Sequence, residues 1–150
     1  MTENAVTLRV IAKDTVVAIT RLSVSDDQTG FVAPNAVSLA QALFQQEHAW
    51  YRGIYAGDDP VGFVMCSIED DDEMIYLWRF MIDQRHQGNG YGFRAVELLF
   101  EEMRAIGKAG VLLSFVDKPG GPEPFYAKLG FTRTGNVVHG ETEMALRFGE

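Results

Sequence analysis

The sequence predicts a mixed α/β (α+β) fold of strands with about four helices, and three observations carry that prediction. Segments 51–55 and 61–68 are β-rich and are separated by Gly57-Asp58-Asp59-Pro60, the residue types a tight hairpin turn requires. A long strand at about 74–82 runs straight into Arg85-His86-Gln87-Gly88-Asn89-Gly90-Tyr91-Gly92 and then into an amphipathic stretch, 93–106. Segment 111–116 reads as a buried-type strand, so strand, helix and strand together predict a right-handed parallel crossover.

The remaining elements follow in chain order. Leu8-Arg9-Val10-Ile11 reads as a first strand, and Asp14 as the cap of a helix whose Val17, Ile19 and Leu22 form a partly buried stripe. A loop with Asp26, Asp27 and Gly30 leads to a second helix, from Asn35 through Leu39, Leu43 and Phe44. An acidic connection, 69–72, precedes the long strand. In the central helix Phe93, Val96, Phe100 and Met103 recur at helical spacing, Arg94, Glu97, Glu101 and Arg104 take the wet side, and Gly107 supplies a stop. Asp117-Lys118-Pro119-Gly120-Gly121-Pro122 is too rich in Pro and Gly to continue a regular element. A short helix, 123–129, tolerates Pro124 near its start and ends at Gly130. A terminal hairpin, 131–138 and 141–148, turns at His139-Gly140.

At 150 residues, 47% hydrophobic and 23% charged, the chain reads as one domain, 1–150, able to bury roughly two-thirds of its unfolded surface. No apolar run approaches the ~20 residues of a membrane span. Met1-Thr2-Glu3-Asn4 has neither a basic start nor a following apolar block, so no secretory signal is visible and cytoplasmic residence is expected. A single cysteine, Cys66, excludes an internal disulfide and reads as a small apolar side chain within a strand. The net charge of −8 disfavours nucleic acid and favours cationic partners. His48, His86 and His139 lack Cys/His ligand spacing, so no metal is expected.

The glycine segment is the main chemical signal. Glycines let the chain wrap closely around a ligand, and the unpaired N–H groups of a starting helix, with its positive dipole end, face negative charge. A diphosphate suits such a cradle. A dinucleotide fold fits poorly, because Gly92 falls one position early for the third fingerprint glycine and too little chain follows Asp117. A Walker-type loop fits worse, since no Lys-Ser or Lys-Thr pair follows the glycines.

Arg85-His86-Gln87-Gly88-Asn89-Gly90 matches the Arg/Gln-x-x-Gly-x-Gly/Ala signature of the GNAT family of N-acetyltransferases. Phe125-Tyr126-Ala127-Lys128-Leu129-Gly130-Phe131 matches that family's later aromatic-Tyr-x-x-Leu-Gly-Phe segment. The chain resembles this family over its whole length. Segments 21–42, 61–65 with 79–92, and 120–135 look more narrowly like bacterial diamine or spermidine/spermine acetyltransferases. The resemblance implies a mostly antiparallel sheet flanked by four helices, with a splayed βαβ cleft for acetyl coenzyme A. It puts the diphosphate over Gln87, Gly88, Asn89, Gly90, Tyr91 and Gly92, with Arg85 beside the loop. Main-chain groups of Met81 and Ile82 are implied to pair with the pantetheine arm. Lys128 is implied to reach a cofactor phosphate, and homodimers are common in the family. One departure stands out: where the family commonly has a cofactor-contacting asparagine before the short helix, this chain has Gly120-Gly121-Pro122-Glu123-Pro124.

Acetyl transfer requires a neutral amine, donors for the oxyanion and a proton for the departing thiolate. An alkyl amine of pKa ~10.4 must first lose a proton, and a carboxylate acting through water suits that task. A backbone N–H near Met81 is expected at the oxyanion, and the resemblance makes Tyr126 the acid. A polyamine needs carboxylates and aromatic faces along its cleft. Asp26 and Asp27 in the first interhelical loop, and Trp78 on the long strand, are the expected substrate contacts, so acetylation of spermidine, spermine or a diamine leads. The alternatives are another amine (an aminoglycoside, amino acid or protein N-terminus) or a coenzyme A-binding module without catalysis.

Overall fold

The computed structural model describes residues 5–149, so the reading of Met1-Thr2-Glu3-Asn4 lies outside the described residues. Seven strands alternate with four helices in the expected order: β1 Val6–Arg9, α1 Val16–Thr20, α2 Asn35–Ala42, β2 Ala49–Ala56, β3 Asp59–Ser67, β4 Met74–Ile82, α3 Tyr91–Ala105, β5 Gly110–Phe115, α4 Glu123–Leu129, β6 Thr132–Val138 and β7 Glu141–Arg147. All strands join one sheet, ordered β1-β2-β3-β4-β5-β7-β6. Every pairing is antiparallel except β4 with β5.

The β4–β5 pairing positions the site. It is confined to Met74–Gly110, Ile75–Val111 and Tyr76–Leu112. Beyond that step β4 stays paired with β3 through Ile82, while β5 stays paired with β7 through Phe115. The two central strands therefore part company, and a wedge opens within the sheet.

Apolar side chains cover both faces. On one, Val96, Leu99, Phe100 and Met103 of α3 bury against a cluster that includes Ile75, Leu77, Val111 and Leu113. On the other, Ile19, Leu22 and Ala42 pack with Tyr55, Phe63, Met65 and Met81. Removing each such side chain from water stabilises the fold by about 1.5–3 kcal/mol. Cys66 lies fully buried in the α3-side cluster, and burial pushes its thiol pKa up, so it behaves as a small apolar group.

Several element ends differ from expectation. The first strand is Val6–Arg9: Val10 is exposed, and a turn follows in which the Thr15 hydroxyl accepts from Ala12 N–H at 2.9 Å. That engagement leaves α1 starting after Thr15 rather than capped by Asp14, and only five residues long. The second helix starts at Asn35 as expected. The Asn35 amide is buried and donates to Ile19 O at 2.9 Å, tying α2 to α1. That helix was expected to run through Leu43 and Phe44, but α2 ends at Ala42 and those two lie, exposed, in a 3-10 turn. The hairpin turn is tighter than expected: Gly57 and Asp58 alone make it, Gly57 at φ 60°, with Asp59 and Pro60 already in β3.

Candidate active site in the wedge between the central strands

A cavity of about 930 Å³ fills the wedge. It is lined by β4 and β5, the glycine loop, α4 and residues 28–34. Two contacts hold that last segment. Gln87 Nε2 donates to Gln28 Oε1 at 2.9 Å on the β4 side, and Lys118 Nζ lies 4.8 Å above the Phe31 ring on the β5 side.

The glycine loop begins where Asp83 stops β4 and anchors the turn. The Asp83 carboxylate is buried and accepts from Ser23 N–H at 2.9 Å and Arg85 N–H at 3.2 Å. Gly88 and Gly90 then adopt φ of 85° and 81°, the left-handed region that L side chains avoid. A Cβ built on either meets nothing within 4 Å, so these glycines are required by the backbone path. Gly92 differs, since a Cβ there would come within 3.3 Å of Ile82 and 3.4 Å of Phe125. The first intrahelical bond of α3 is Arg94 N–H to Gly90 O at 3.2 Å, leaving the N–H groups of Tyr91, Gly92 and Phe93 without a helical acceptor. Gly88, Gly90, Tyr91 and Gly92 all line the cavity. Phe93 also lines it and is 39% exposed, which corrects its place on the buried stripe; Ala95 and Leu99 belong there with Val96, Phe100 and Met103.

Tyr126 lines the cavity from α4. Pro122 accepts from Tyr126 N–H at 3.2 Å, and Gly130 ends α4 at φ 108°. Phe125 stacks on Phe80 at 5.6 Å, seating the helix against β4, and the Tyr126 ring meets Phe131 edge-on at 5.6 Å. The Tyr126 side chain is buried yet lines the cavity. Burial, and secondarily the nearby Cys66, push the phenol pKa up, so it stays protonated at neutral pH and is equipped to donate.

The other expected residues divide into two groups. Met81, Ile82, Gln87, Trp78 and Lys128 line the cavity. Gln87 also donates to Ile82 O at 2.9 Å, which fixes the loop to the end of β4. Arg85, Asn89, Asp26 and Asp27 lie outside the lining. Arg85 Nε is committed to Asp83 at 2.9 Å, and Asn89 Nδ2 closes the loop by donating to His86 O at 3.0 Å. Asp26 and Asp27 are exposed in the 3-10 turn Asp26–Gln28, adjoining the cavity-lining Gln28.

Sequence reasoning missed a polar cluster lining the cavity. Tyr76 hydroxyl bonds to Ser114 Oγ, and Ser114 Oγ donates to Glu141 Oε1 at 2.8 Å. Beside it Arg79 donates to Gln41 Oε1 at 3.0 Å and makes no ion pair with a described residue. These side chains come from β4, β5 and β7, neighbours only in the folded sheet, so no local motif marks them. Among the described residues no three His, Cys, Asp or Glu side chains converge as metal ligands.

The glycine turn at a helix start, a divergent parallel strand pair and a buried tyrosine facing it define an acyl-transfer cleft of the acetyltransferase type. The family model for the acetyltransferase (GNAT) family matches residues 18–131, and the chain belongs to that family. A spermine/spermidine N(1)-acetyltransferase of Bacillus subtilis (strain 168) is 27% identical, covering 93% of this chain and 97% of that one. An acetyltransferase from Thermus thermophilus superposes with a TM-score of 0.80 at 17% identity, over 99% of this chain and 100% of that one. The PaiA N-acetyltransferase of Thermoplasma acidophilum, solved with coenzyme A, does so with a TM-score of 0.74 at 14% identity, over 96% and 99%. These superpositions establish the fold. Among the described residues no helix is long and apolar enough to cross a membrane.

Proposed function

We propose that this acetyltransferase moves the acetyl group of acetyl coenzyme A to a primary amine of a small polyamine by direct attack on the thioester. One observation carries the reading: the unpaired amides of the first α3 turn and the Tyr126 phenol face the same cavity. The site fits the cofactor, because positive-φ glycines turn main-chain donors outward at one end and the wedge gives a linear arm room along β4.

Gln87, Gly88, Asn89, Gly90, Tyr91 and Gly92 then cradle the diphosphate through main-chain donors, with Arg85 and Lys128 adding positive charge. Main-chain groups of Met81 and Ile82 pair with the pantetheine arm in the manner of an added strand, and an N–H near Met81 holds the oxyanion. Tyr126 gives its proton to the departing thiolate. Trp78 offers an aromatic face to an alkylammonium, and Asp26 and Asp27 attract a second ammonium beside the cavity. The distant relative named for spermine and spermidine supports this acceptor, as does the net charge of −8. The reading carries with it a homodimer in the cytoplasm.

Arg79 favours a second reading. A cation lining the cavity, with Glu141 acting on it but no ion pair to a described residue, suits an acceptor that carries an anionic group, such as an amino acid. Thiol release across spermidine, diamines, aminoglycosides and amino acids separates the two, and spermidine is expected to give the highest kcat/KM. A spermidine rate no better than that of unrelated amines overturns the polyamine assignment, while no transfer to any amine leaves only a coenzyme A-binding module.

A further inference from the structure

Side chains along the cavity divide between the two faces of the sheet. Ile75, Leu77, Leu113 and Met144 bury in the cluster with α3. Strand alternation therefore places Tyr76 and Trp78 of β4, Ser114 of β5 and Glu141 of β7 on the opposite face, which α1 and α2 cover. All four line the cavity, and Glu141 is the one carboxylate among the described residues that do so.

That carboxylate is held in place but not neutralised. A carboxylate only accepts, so the Ser114 proton goes to Glu141 Oε1 at 2.8 Å and the Tyr76 hydroxyl donates to Ser114 Oγ. Glu141 makes no ion pair with a described residue. Arg79, the cation on which its charge acts, donates instead to Trp78 O at 3.1 Å and Gln41 Oε1 at 3.0 Å. A half-buried carboxylate short of a cation gains most from a ligand that brings one.

Two residues on from the last β4–β5 pair, Tyr76–Leu112, come Trp78 on one strand and Ser114 on the other. The Trp78 ring and the Ser114–Glu141 pair thus share a face and stand on either side of the wedge. An aromatic face and a carboxylate are the two groups that recognise an alkylammonium. The oxyanion N–H proposed near Met81 is three residues beyond Trp78, about 10 Å of strand. A group bound beside Trp78 and Glu141 is therefore remote from the reacting nitrogen, as the second ammonium of a polyamine is.

We infer that Glu141, braced by Ser114 and Tyr76, seats the second ammonium of the acceptor while the other end is acetylated. The inference deepens the polyamine reading and rests on it. Asp26 and Asp27 lie outside the lining and draw the cation in, whereas Glu141 holds it within the cavity. Glu141 is a specificity residue: it touches the remote charge of the acceptor and takes no part in bond making.

The test compares spermidine with a monoamine that carries an alkyl tail of the same length, in wild type and Glu141→Gln, at about 0.15 M salt, where long-range attraction is screened beyond ~8 Å. The wild type is expected to favour spermidine, and Glu141→Gln to lower the spermidine-to-monoamine ratio of kcat/KM by ~10- to 100-fold, chiefly through the KM for spermidine. A series of α,ω-diamines adds a second readout. In the wild type kcat/KM should rise once the chain is long enough for the far ammonium to reach Glu141, and that rise should vanish in the variant. Coenzyme A binding by calorimetry should be unchanged. Equal losses with spermidine and the monoamine overturn the seat. Should Glu141→Gln fail to fold, the diamine series decides alone: a wild-type kcat/KM independent of chain length overturns the seat as well. A wild type that acetylates spermidine no faster than unrelated amines refutes the polyamine reading itself, whereas a spermidine-selective wild type whose ratio survives Glu141→Gln refutes only the seat.

Discussion

At the scale of single residues the proposed reaction rests most on Gly90 and Tyr126, for different reasons. Gly90 is held at φ 81° in open space, so a methyl group there clashes with nothing and still strains the backbone. Gly90→Ala should cost about 1–2 kcal/mol in urea unfolding and weaken coenzyme A binding measured by calorimetry, because the amides it aims are displaced. A variant with wild-type stability and affinity would show that the left-handed turn is dispensable. Tyr126→Phe should bind coenzyme A as wild type does and turn over ~10²-fold more slowly, since the ring packing is kept and only the proton is lost. Unchanged turnover would remove Tyr126 from the mechanism. Both residues were legible in the sequence because each belongs to a contiguous motif. The hydrogen-bonded cluster of Tyr76, Ser114 and Glu141 was not, because it exists only once β4, β5 and β7 lie side by side.

Secondary-structure elements show the same division. The α3 helix and the β2–β3 hairpin were read nearly to their ends, since period and turn chemistry are local properties. The α1–α2 region was misread at its ends: the Thr15 hydroxyl, not Asp14, engages the turn before α1, and α2 starts at Asn35 as expected but ends at Ala42, short of Leu43 and Phe44. The junction of β4 with the glycine loop depends on Asp83. Burial works against its charge, but the Ser23 N–H and then the Arg85 guanidinium and N–H outweigh it, and they hold its carboxyl below the usual range. A depressed folded-state pKa means stability that is present above the unfolded value of ~3.9 and lost as pH falls through the folded one. Asp83→Asn should therefore destabilise the protein by about 2 kcal/mol at pH 7 and flatten part of the acid limb of its urea-unfolding stability. Equal loss at pH 7 and at pH 3 would mean that the charge itself is irrelevant.

For the molecule as a whole, the net charge of −8 bears on recognition. A polycationic acceptor should feel that field, so kcat/KM for spermidine is expected to fall several-fold as the screening length shortens from ~30 Å at 0.01 M salt to ~8 Å at 0.15 M. An uncharged-tail monoamine should change less. Identical salt responses would count against electrostatic capture. The sheet order could not be read beyond its local pairs, because which strand lies beside β5 is settled by packing across the chain, and that order creates the wedge.

Calorimetric titration of the folded protein with acetyl coenzyme A tests the account at its root. Saturable binding of one molecule per chain, weakened by Gly90→Ala and untouched by Tyr126→Phe, is the predicted result; no binding heat at millimolar cofactor would contradict it.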